Sequence, residues 1–76
     1  DPFKELTERE VDVLSLLAEG KSNAEIAEAL ILSDKTVRNH ISVILDKLHM
    51  GNRVAAATYA TRNDIFNYRT NKGGHT

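Results

Sequence analysis

The chain has 76 residues, 41% of them hydrophobic and 28% charged, with a formal net charge of −1 and no cysteine. That length builds one small domain, and the absence of cysteine excludes disulfides and thiolate metal sites. A run such as Ala29-Leu30-Ile31-Leu32 is far too short to cross a bilayer, so no membrane partner is expected. No basic stretch followed by an apolar one opens the chain, as a secretory signal would. With no initiator Met, the sequence reads as a piece of a longer, cytoplasmic protein.

The first helix is expected from "LTERE", with Thr7 as N-cap and Glu10 three residues into the helix, the pattern of a capping box. Val13, Leu14 and Leu17 make its apolar stripe, and Gly20 should end it in a left-handed conformation. "SNAE" repeats the device: Ser22 caps a short second helix, Glu25 closes the box, and Ile26, Ala27 and Leu30 face inward. "ILS" makes a turn. Ser33 then caps a third helix, with Asp34 well placed in its first turn. Val37, Ile41, Ile44, Leu45 and Leu48 recur at helical spacing over about four turns of this third helix. "MGN" should stop it, with Gly51 as C-cap and Asn52 as the next N-cap. A fourth, alanine-rich helix runs from about Arg53 to Arg62. Beyond residue 62 the pattern fades, and residues 63–76 read as a flexible C-terminal tail. The expected fold is all-α: a compact four-helix bundle over residues 1–62 that contains a helix-turn-helix.

Charge is unevenly spread. Residues 1–32 hold eight acids and three bases, whereas residues 33–76 hold seven bases and three acids. Such asymmetry points toward an anionic partner for the second part, although the total charge alone argues against nucleic acid.

The third helix sharpens this. Placed at steps of about 100°, its apolar residues share one arc, while Lys35, Arg38, Asn39, Ser42 and Asp46 share the opposite one. Thr36, His40, Val43 and Lys47 lie along a flank. A DNA major groove admits one α-helix; there Arg binds guanine, Asn binds adenine, and Ser takes either role. Base contacts are therefore expected from Lys35, Arg38, Asn39 and Ser42, with residues 34–49 as the recognition helix. Phosphate contacts are expected from Thr36, His40 and Lys47, and from Ser22 and Asn23, where the second helix offers backbone N–H groups to an anion. A solvated helix that binds nothing is the competing reading of this face. The helix-turn-helix arrangement, and an outer face free of Glu, favour the groove.

"LTERE", "VLSLLAEG", "SNAEIA", "TVRNHI", "ILDKL" and "NRVAAA" occur in this order over residues 5–61, and in that order and spacing they resemble the LuxR/FixJ-type, GerE-like DNA-binding domain of bacterial regulators. The resemblance implies sequence-specific binding of double-stranded DNA, transcriptional regulation, and a place as the C-terminal effector domain of a two-component response regulator or a quorum-sensing receptor, with "TVRNHI" and "NRVAAATYA" more similar to the response-regulator branch. It matches Arg38, Asn39 and Ser42 to positions presented to bases, Lys35 and Thr36 to the start of the recognition helix near the backbone, and His40 and Lys47 to its phosphate side. Members often carry a basic residue where Ser42 stands, so base preference does not transfer and monomer affinity should be lower. The resemblance also implies a homodimer on DNA through the fourth helix. There Val54, Thr58 and Thr61 form a stripe opposite Ala56 and Ala60, with paired half-sites about one turn apart. RNA polymerase is a further candidate partner.

Glu10 falls on the apolar side of the first helix. It is expected to serve the capping box and also to pair with a base such as Lys47 or Arg53, because a buried unpaired charge is costly. His40, His49 and His75 lack metal-ligand spacing, so no metal or other cofactor is expected. No Ser has a His base and an acid around it, no glycine-rich phosphate loop occurs, and neither an enzyme nor a small-molecule substrate is expected. Two alternatives stay open: a sigma-factor-like promoter-reading domain, and a helical protein-interaction module that binds no DNA.

Overall fold

The computed structural model describes residues 1–68. Its helices are α1 (Glu8–Ala18), α2 (Asn23–Leu30), α3 (Asp34–Leu48) and α4 (Arg53–Arg62), followed by a single helical turn at residues 65–68, and no strand occurs among the described residues. Each helix begins on a side chain that closes its own first turn. Thr7 N–H donates to Glu10 Oε1 at 2.9 Å while Glu10 N–H donates to Thr7 Oγ1 at 3.1 Å, and Ser22 and Glu25 repeat the exchange at the same distances. Ser33 Oγ accepts from Thr36 N–H, and Asn52 Oδ1 accepts from Ala55 N–H. These caps satisfy donors that a helix start leaves without partners.

The first three helices end alike. Lys21 N–H reaches back to Leu16 O, Leu32 N–H to Ala27 O, and Met50 N–H to Leu45 O. In each case the preceding residue is left-handed: Gly20 (φ 87), Ile31 (φ 57) and His49 (φ 58). Gly20 was the one expected. The third helix does not stop on Gly51 as its composition suggests. His49 takes the left-handed place instead, which turns Met50 back against the core beside Leu45.

One core holds all four helices. Val13 and Leu14 from α1, Ile26 from α2, Val37 and Ile44 from α3, and Ala56 and Ala60 from α4 are fully buried. Leu45 and Leu48 are partly buried at its edge. The small side chains of Ala56 and Ala60 let α4 lie against α1, while α2 packs chiefly on α3.

The core also extends past both expected limits. Phe3 is fully buried, and its ring meets Tyr59 and Tyr68 edge-on, with centroids 6.0 and 4.9 Å apart. Tyr59 Oη donates to Pro2 O at 3.1 Å, and Tyr68 Oη to Asp1 Oδ2 at 3.3 Å. Ile65 is as buried as Val13. The expected boundary at residue 62 is therefore too early. An amphipathic repeat needs more than one turn to show, and residues 65–68 supply only one. The remaining part of the expected tail, residues 69–76, lies outside the described residues.

Candidate nucleic-acid interface

α2, the turn at residues 31–33 and α3 form the helix-turn-helix. Burial of Val37, Ile41 and Ile44 fixes the rotation of α3 about its axis. Lys35, Arg38, Asn39 and Ser42 are consequently all exposed. None of the four side chains makes a hydrogen bond or ion pair within the described residues. Two cations, an amide and a hydroxyl thus stand in water on one side of a 15-residue helix, with their donors and acceptors available to a ligand. The acids of α3, Asp34 and Asp46, sit at its first turn and near its last.

Thr36, His40 and Lys47 are half-buried along the flank. Ser33 Oγ donates to Thr36 Oγ1 at 2.9 Å, so the Thr36 hydroxyl proton is still available to an acceptor. Lys47 is engaged: its Nζ lies 2.8 Å from Glu10 Oε1, on a carboxylate that is almost fully buried. Burial alone raises the Glu10 carboxyl, but the Lys47 ammonium and the Thr7 N–H outweigh it and hold the group below its ordinary value of 4.5. An ammonium has three N–H donors, so this pair leaves Lys47 two.

The start of α2 closes the expected capping box. Ser22 N–H is already taken by Glu25. The same bond is the main cause holding the Glu25 carboxyl below its ordinary value. The Asn23 amide oxygen accepts from Arg53 Nη1 at 2.7 Å, and Arg53 Nη2 reaches Lys21 O at 3.4 Å. An anion arriving here meets the Arg53 guanidinium beside Asn23 and a capping carboxylate on Ser22 N–H. Of the two bases named for Glu10, Lys47 is thus its partner, and Arg53 instead fastens α4 to the opening of α2. The sequence holds no signal for that contact, because Asn23 is neutral and, unlike Glu10 on its apolar side, calls for no counter-ion; the partners are 30 residues apart.

On α4, Val54, Thr58 and Thr61 are exposed on the side away from Ala56 and Ala60. Thr61 Oγ1 donates to Ala57 O one turn back. Val54, Ala57 and Thr58 border an open depression with Leu17 and Ala18 of α1. Among the described residues no group of three or more His, Cys, Asp or Glu could hold a metal ion, and no helix is long and apolar enough to cross a membrane.

Residues 4–60 match the family described as "Bacterial regulatory proteins, luxR family". The chain is 50% identical over 66 residues to the transcriptional regulatory protein LiaR of Bacillus subtilis, which covers 87% of this chain and 31% of LiaR. It is 55% identical over 56 residues to the nitrate/nitrite response regulator protein NarP of Escherichia coli, covering 74% and 26%. It is 46% identical over 61 residues to the DNA-binding transcriptional activator DevR/DosR of Mycobacterium tuberculosis, covering 80% and 28%. The chain therefore spans less than a third of the length of these relatives.

Proposed function

The chain belongs to the luxR family of bacterial regulatory proteins, and we propose that it is the DNA-reading effector domain of a two-component response regulator. It binds double-stranded DNA sequence-specifically and regulates transcription. α3 lies in the major groove, Arg38 and Asn39 discriminate bases, and Lys35 and Ser42 add contacts along the same face. The observation that supports this most is the joint exposure of those four side chains, unpaired, on the helix that follows the turn.

Thr36, His40 and the two remaining donors of Lys47 hold the flanking phosphates. Ser22 and Asn23 flank the same strand, with Arg53 supplying the charge there. These contacts fix register and carry most of the affinity, without reading sequence. The domain works as a homodimer on paired half-sites, joined through Val54, Thr58 and Thr61, and the two-fold axis of the pair matches that of the site. A chromosomal partner places this work in the cytoplasm.

The test is a gel-shift with Arg38→Ala against a site recovered from a randomised DNA pool and against scrambled DNA. Loss of about 1–3 kcal/mol of discrimination, with an unchanged thermal midpoint, is expected. Full retention of discrimination refutes the placement of α3.

A further inference from the structure

Val43 is an exposed apolar residue where the flank of α3 meets its outward side. It remains 42% exposed, while Val37 and Ile44 are fully buried. Its exposed neighbours on the helix, Asn39 one turn before, Ser42 beside it and Asp46 three residues on, are all polar. Four residues of helix turn through 400°, so Val43 lies only about 40° around the axis from Asn39.

Val43 takes no part in the hydrophobic core. The inner side of α3 is filled by Val37, Ile41 and Ile44 without it. A β-branched residue on a helix surface also has lower helical propensity than Ala or Lys. An isopropyl group gains when it leaves water for an apolar partner. Along base edges the major groove offers one apolar group, the C5-methyl of thymine.

We propose that Val43 is a specificity-determining residue that packs against a thymine methyl. The advance from Asn39 to Val43 is about 6 Å of helix, so the thymine lies within about two base-pair steps, at 3.4 Å each, of the base that Asn39 reads. This rests on the placement of α3 in the groove.

The experiment uses the 76-residue chain and the half-site recovered from a randomised pool. Each thymine is replaced in turn by deoxyuridine, which keeps the pairing edge and removes only the methyl. The native domain loses about four-fold in affinity at one such position, the equivalent of one buried methyl. Val43→Ala is weaker on the thymine site and shows no further loss with deoxyuridine at that position; circular dichroism verifies that it is folded. A methyl effect of equal size in the native and Val43→Ala domains, or no methyl effect at any thymine, overturns the assignment. Arg38→Ala separates the two levels. If it loses discrimination while the native domain ignores the methyl, the Val43 assignment alone fails. If it keeps discrimination, the groove placement fails and takes the assignment with it.

Discussion

Glu10 and Lys47, 37 residues apart in the chain, meet at 2.8 Å and tie the first turn of α1 to the last turn of α3. Because the folded carboxyl titrates below 4.5, its contribution is fully present above the unfolded value and is lost as pH falls through the folded one. Urea midpoints should therefore decline below about pH 4.5. Glu10→Gln should lower stability by about 1–2 kcal/mol at neutral pH, less than a fully buried pair because Lys47 keeps some solvent contact. It should also flatten that decline, with the remainder belonging to groups such as Glu25. A decline of equal steepness in the variant counts against the pair.

Ile31 is a β-branched residue in the left-handed region, 91% exposed, and so is held there by the turn between α2 and α3 with no packing of its own. Ile31→Gly should raise stability by about 1 kcal/mol, since glycine adopts this conformation without a Cβ penalty. A lower melting temperature for the variant would show that the isoleucine makes a compensating contact.

The N-terminal residues are structural. Phe3→Ala should cost about 3–5 kcal/mol, as expected for removal of a fully buried ring, whereas Tyr59→Phe should cost about 1 kcal/mol for the bond to Pro2 O. Chemical denaturation of both variants checks this, and equal losses would mean that the hydroxyl matters as much as the ring.

Val54 is 70% exposed, so Val54→Glu should leave folding unchanged. If copies pair through α4, like charges then face each other across the axis, and binding to a paired site should fall to the level of two independent half-sites. Gel-shifts on one and two half-sites measure this. Undiminished binding to the paired site would remove α4 from the interface.

Much of this fold is legible in the sequence because it is encoded locally. Thr7 with Glu10, Ser22 with Glu25, and Ser33 and Asn52 alone each announce a helix within three residues of themselves. The inward side of α3 is equally plain, since five apolar residues repeat over four turns. The helix ends are less so. Ile31 and His49 are unfavourable choices for a left-handed turn, and the burial of Leu32 and Met50 overrides local preference. The contributions of Phe3 and Ile65 lie in segments too short for periodicity. Of the site, the exposed row from Lys35 to Ser42 follows from the spacing of the apolar residues opposite. The Asn23–Arg53 contact and the self-closure of α2 by Glu25 alter the chemistry of the flank, and the first depends on tertiary packing that no local pattern records.

The guanidinium of Arg53 ties the opening of the helix-turn-helix to the helix through which two copies would join. If copies pair through α4, that contact would tie each reading head to the hinge of the pair and restrict how far it swings. Inserting one base pair between the halves of an operator rotates the second half by about 35°, and a pair so tied would have little slack with which to follow it.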